Sequence, residues 1–231
     1  DITELKAVVA HEMGHVRKKH LPMFIMMFII FIFIAYYLSD ILMLLALSHR
    51  TVLGWALAPE TGSFVISLLQ VVPLITIMVL FFRFIFGFFL RNSERQADLF
   101  ALKLLGTPMP LVSSFEKIAR HSGKIDDLPN WHHYSIRERI NFLLAAFENP
   151  DLIRKHNQKL YGSALLFVAI AAGLLTGLSA NWSGMAADLR SDLLIRTYES
   201  EIAKQPENAE IQAAYGGLLF EKARYSEAES V

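Results

Sequence analysis

Three long stretches without a charge limit what this chain can fold into. Leu21 to Ser39, Thr61 to Phe82 and Leu160 to Ala187 hold no Asp, Glu, Lys or Arg over 19, 22 and 28 residues. About 20 apolar residues carry a helix through the hydrocarbon core of a bilayer. Apolar character resumes from Ile41 to about Leu47, and again past Arg83 to Leu90. The pattern predicts transmembrane helices at roughly 21–45, 64–90 and 161–180. Charged residues make up 19% of the chain, against about 25% in soluble domains. The expected fold class is therefore a predominantly all-α membrane protein. Arg83 is expected to snorkel, Asp40 to mark the far end of the first span, and Pro73 to kink the second. Gly173 and Gly177 form a GxxxG that would let the third span pack closely on another span or on a second copy.

The polar segments set the topology. Residues 1–20 carry Lys6, Arg17, Lys18 and Lys19, and 91–159 carry eleven bases against eight acids. Residues 188–231 carry five bases against nine acids. Bases crowd the cytoplasmic ends of spans, so 1–20 and 91–159 are expected in the cytoplasm and 188–231 on the other side. Two spans separate the basic segments, so parity agrees. Lys+Arg and Asp+Glu are 22 each, which removes a whole-chain electrostatic footprint for nucleic acid. The absence of cysteine removes disulfides, thiolate metal sites and a cysteine nucleophile. The chain reads as part of a longer one, since it opens and stops inside helical patterns and lacks an initiator Met.

The chemistry concentrates at His11-Glu12-Met13-Gly14-His15. Leu5, Val8, Val9, Met13 and Val16 recur at helical spacing. On a helix, His11 and His15 share one face and can both aim an imidazole at one metal ion. Glu12 is near enough to reach a metal-bound water without being a ligand. The pentad alone also describes a helix with two surface histidines. A catalytic zinc takes three protein ligands and keeps one position open. Beyond the second span, Glu94 and Asp98 stand four residues apart on a segment that Gly106 and Pro108 end. Glu94 fits as third ligand and Asp98 as the carboxylate that fixes a ligand histidine's tautomer. The bland alternative is two solvated acids beside Arg91 and Arg95.

This order of motifs over roughly 1–145 resembles the HtpX and CAAX prenyl protease type 1 family of integral membrane zinc endopeptidases. Those are gluzincins with HExxH, two intervening spans and then ExxxD. The resemblance implies a helical mini-gluzincin core, one Zn2+ per chain held by His11, His15 and Glu94, and Glu12 as the general base. A His-Pro-x-x-x-x-Arg stretch of the family is matched by His133 to Arg139, with Tyr134 in place of proline. It implies His133 as the oxyanion donor and Arg139 as an organiser of the site. The neighbouring His132 is read as an exposed loop residue. His20 is read as structural or interfacial, not as a ligand. The resemblance places the family's first span and substrate-pairing strand upstream of Asp1.

Beyond the third span, Pro206, Ala209, Gly216, Tyr225 and Ala228 fall at positions that resemble a 34-residue tetratricopeptide repeat, with Gln212 where tryptophan is usual. The alternative is a single juxtamembrane hairpin. The expected organisation is a metallopeptidase domain at 1–160, a third span at 161–180 and a repeat-like segment at 181–231. The expected activity is zinc-dependent hydrolysis of membrane or misfolded polypeptides in a bacterial inner membrane. A partner protein would bind the repeat-like segment. The alternatives are a CAAX-type prenyl protease and a non-catalytic scaffold.

Overall fold

The structure is a computed structural model that describes residues 1–121 and 131–229, apart from the side chains of 181–183. No strand occurs among the described residues, and three helices are long and apolar enough to cross a membrane. The helices are α1 (Ile2–Arg17), α2 (His20–Ser48), α3 (Arg50–Ala56), α4 (Gly62–Leu80), α5 (Gly87–Leu105), α6 (Met109–His121), α7 (Ile136–Glu148), α8 (Asp151–Lys204), α9 (Ala209–Glu221) and α10 (Tyr225–Ala228). Six residues of π-helix, Phe81–Phe86, join α4 to α5 without a break. The helix expected to end near Leu90 thus continues to Leu105 and carries Glu94 and Asp98 on the same rod. Likewise α8 runs uninterrupted through residue 180, where the third span was expected to stop. Hydropathy marks where a helix leaves lipid; it does not mark where a helix ends.

The chain divides into two compact units, Asp1–Phe33 with Ile77–Ala172 and Ile34–Thr76 with Gly173–Val231. In the first, α1 begins with a capping box: Asp1 accepts from the Thr3 amide and Glu4 is the reciprocal partner. Its small face, Ala7, Ala10 and Gly14, is buried. A Cβ on Gly14 would come within 2.9 Å of the Ala97 Cα on α5. The missing side chain is what lets the two backbones meet. Leu99, Leu102, Leu111, Phe115 and Leu143 complete this core, and Gly106, in the left-handed region at φ 70°, stops α5.

A second cluster in the same unit joins three long helices through Met27 of α2, Phe89 of α5 and Leu160 of α8. Phe31 stacks on Phe81 of the π turn at 4.2 Å between ring centroids. Buried His156 of α8 lies 2.9 Å from the Asn92 carbonyl of α5, which an imidazole N–H satisfies.

In the second unit, Leu44 and Ala186 pack with Tyr37, Ile41, Leu189 and Leu193. Asp40 lies inside α2 and accepts from Arg190 of α8 at 2.9 Å. A Cβ on Gly173 or Gly177 would meet nothing within 4 Å among the described residues. Ile195, Tyr215 and Leu219 close a helical hairpin between the end of α8 and α9. The Tyr215 hydroxyl donates to Glu199 at 3.1 Å, and α10 folds back so that a Cβ on Gly216 would lie 3.8 Å from the Ala228 carbonyl.

Candidate metal centre

Three side chains from two helices converge in the first unit. His11 and His15 are one turn apart on α1, and Glu94 faces them from α5. Their ligand atoms lie within 4.8 Å of one another. The two Nε2 atoms are 3.2 Å apart. Glu94 Oε2 is 3.7 Å from His11 Nε2, and Oε1 is 3.4 Å from His15 Nε2. Tetrahedral zinc with bonds near 2.0–2.1 Å spaces its ligand atoms by about 3.3 Å. The donor set therefore fits one zinc ion, with Glu94 turning one oxygen toward each histidine.

The groups around the ligands are equally specific. Asp98 Oδ1 stands 2.9 Å from His11 Nδ1. Arg139 of α7 donates to the same carboxylate twice, from Nε at 2.9 Å and Nη2 at 2.7 Å. A carboxylate held in this way only accepts, so His11 carries its proton on Nδ1 and turns a lone pair on Nε2 toward Glu94. The third guanidinium nitrogen of Arg139 lies 3.4 Å from Glu94, and its plane rests on the Phe115 ring. Burial opposes the charge of Arg139, but Asp98 and then Glu94 raise its pKa above the ordinary arginine value.

His15 Nδ1 meets Nδ1 of His20 at 3.0 Å. His20 is 2% exposed, and its Nε2 lies 2.8 Å from Gln96 Oε1. Gln96 in turn donates to Asn157 Oδ1 on α8 at 2.5 Å. His20 is thus a buried structural partner of His15. Burial, aided by the charge of His11, lowers the pKa of His15 against the pull of Glu94.

Glu12 is exposed beside the ligands. His133 comes from the loop before α7, its Nδ1 3.7 Å from Glu94 Oε2. That loop sits close to α5 because Gly87 has no side chain: a Cβ there would meet the Trp131 carbonyl at 2.6 Å. Burial, aided by His132 and Arg139, lowers the pKa of His133 against the pull of Glu94. Its Nδ1 is buried with no hydrogen-bond partner among the described residues. His132 is half-buried, not an exposed loop residue, and its ring lies between those of Trp131 and His133. Tyr134, where the resemblance expects proline, lies under the Arg95 guanidinium at 3.8 Å, with Phe142 nearby at 4.1 Å.

Residues 1–183 match the profile of Peptidase family M48. The chain belongs to that family. M48 enzymes are metallopeptidases, so the reaction class is peptide hydrolysis and the three apolar helices make this a membrane member. No curated protein and no solved structure matches the chain.

Sequence reasoning found the M48 ligand candidates because each motif repeats within one helix. It missed Gln96 and Asn157, whose spacing carries no signal. It also missed the contact of His20 with His15, which follows the turn at Lys19, where φ is 58°.

Proposed function

We propose that this M48 chain is a zinc endopeptidase of the HtpX-like quality-control branch, cleaving membrane or misfolded polypeptides. The observation that carries the reading is the convergence of two imidazole nitrogens and a carboxylate at the edge lengths of a zinc tetrahedron. His11, His15 and Glu94 would hold the ion. When bound, zinc supplies Lewis acidity, which brings a coordinated water to a pKa of about 7 and polarises a carbonyl.

The remaining steps belong to the side chains. The Glu12 carboxylate takes the proton of the attacking water and passes it to the leaving amine. A neutral His133 donates an N–H to the oxygen that becomes negative as the carbonyl is attacked. Asp98 holds the His11 tautomer, and Arg139 holds Asp98 and balances Glu94. Charge bias favours a cytoplasmic site with 188–231 across the bilayer. The hairpin that buries Tyr215 and Leu219 would offer a tetratricopeptide-like surface to a partner protein. A CAAX-type activity would require a prenylated C-terminal peptide, and no feature of the site selects for one.

The test is zinc content per chain in the purified protein beside Glu94→Ala. About one zinc in the wild type, lost or much weakened in the variant, is the expected result. No zinc after purification without chelators overturns the reading in favour of a scaffold.

A further inference from the structure

The Nδ1 of His15 can act as donor or acceptor, and the choice decides whether its Nε2 offers a lone pair to a metal. Two neutral imidazoles bonded Nδ1 to Nδ1 must have one proton between them. If His20 held it on Nδ1, His15 would hold its own proton on Nε2 and could not ligate there. If His15 holds it, Nε2 is free. Within α1 the two Nε2 atoms face each other at 3.2 Å; an ion between them needs a lone pair on both, whereas without one His15 would donate from Nε2 to His11.

The direction follows from the orientation of the two amides at the other end of the chain of hydrogen bonds, since the whole series turns together. Asn157 Oδ1 accepts from Gln96 Nε2. That turns Gln96 Oε1 toward His20, where an amide oxygen can only accept. His20 must then carry its proton on Nε2, which leaves its Nδ1 as an acceptor for the Nδ1–H of His15. Every donor in the series meets an acceptor. Reversing any one amide or ring would set two acceptors or two donors face to face in a buried site, since His20 and Gln96 are 2% and 1% exposed. Asp98 does the same for His11 with a charged acceptor. His15 has no carboxylate at this position and relies on a neutral relay three residues long.

We propose that His20, Gln96 and Asn157 are positioning residues that fix the tautomer and aim of His15, so that α8 sets metal affinity at the α1 site through the Asn157 carbonyl. This rests on the reading of His15 as a ligand. Asn157 is partly exposed and lines an open cavity of about 770 Å³ together with Lys103 and Arg154. The end of the relay can therefore be changed without disturbing the core, and the nearby cations accommodate an anion there.

The experiment measures zinc affinity by chelator competition, and the d–d spectrum after Co2+ loading, on the full chain in detergent. Losing a hydrogen-bond partner of a ligand histidine typically weakens metal binding about 10–100-fold. His20→Leu and Asn157→Leu should each fall in that range and shift the Co2+ bands. His20→Asn places an amide oxygen where Nδ1 was, and Asn157→Asp keeps an acceptor for Gln96. Both should stay within a few-fold of wild type. A wild type that binds zinc tightly, with both leucine variants folded and unchanged in affinity and spectrum, overturns the relay and leaves the zinc reading intact. Equal loss in His20→Asn and His20→Leu, or in Asn157→Asp and Asn157→Leu, also overturns it, because bulk rather than acceptor chemistry would then matter. A wild type that binds no metal sinks the underlying reading instead.

Discussion

Gly14 of the histidine helix lies against Ala97, which sits between Gln96 and Asp98 in the chain. An added Cβ would meet the alanine Cα at 2.9 Å. Both atoms belong to or touch backbone, so neither can rotate away. Exchanging a helical glycine for alanine normally stabilises by up to about 1 kcal/mol. Here the clash wins: overpacking of this kind costs about 1–3 kcal/mol. Gly14→Ala should lower the thermal midpoint and weaken zinc binding together, because it pushes His11 and His15 away from Glu94. A variant that is more stable and binds zinc as well as wild type would refute this.

Glu12 is exposed and does not complete the ligand triangle. Glu12→Gln should therefore keep about one zinc per chain while cleavage of an unfolded polypeptide falls about 10²–10⁴-fold, the usual worth of a general base. Zinc analysis and a gel-based cleavage assay on the same preparation decide it. Retained cleavage would assign the proton transfer to another group.

Asp98 is 3% exposed at its side chain and serves His11 and Arg139 at once. Removing one partner of a buried ion pair costs about 3–5 kcal/mol because the other charge stays buried. Asp98→Ala should therefore destabilise even the metal-free protein, while Glu94→Ala should chiefly remove zinc. Chemical denaturation of both variants in the presence of chelator distinguishes the two effects. Arg139→Lys should not rescue function, since a lysine cannot donate to both Asp98 oxygens and still reach Glu94.

Glu4 ties α1 to α6 through Lys117 at 2.6 Å and Ser113 at 2.5 Å. Those hydrogen bonds pull its pKa from 4.5 down to about 2. The folded state thus binds the proton less readily than the unfolded chain. The contribution is complete above pH 4.5 and is lost as pH falls from there toward 2. The gap in thermal midpoint between wild type and Glu4→Gln, both metal-free, should be constant from pH 7 to 5 and close on further acidification. A gap that widens with acid would contradict the assignment.

Much of this protein was legible before any fold was known. The three spans are runs of composition, and the lipid phase reads composition directly. His11 with His15, and Glu94 with Asp98, are pairs one helical turn apart, so periodicity alone puts each pair on one face. Gly106 stops its helix by local backbone preference. The zinc reading needed no more than these and the order of the motifs. The third span, expected at 161–180, sits in a helix that runs on to Lys204: charges return only at Asp188, and nothing in the local backbone breaks the helix.

What tertiary structure alone decided are pairings over long sequence separations. Asp98 could have served either histidine; packing of α1 on α5 through Gly14 and Ala97 gave it His11. His20 looked peripheral until the left-handed turn at Lys19 folded it onto His15. Gln96 and Asn157 belong to no motif, and Arg190 lies 150 residues from Asp40. Sequence determines what each helix offers, because propensity and periodicity act over a few residues. Which offers are taken up depends on how closely two backbones approach, and that is set by the whole packed core.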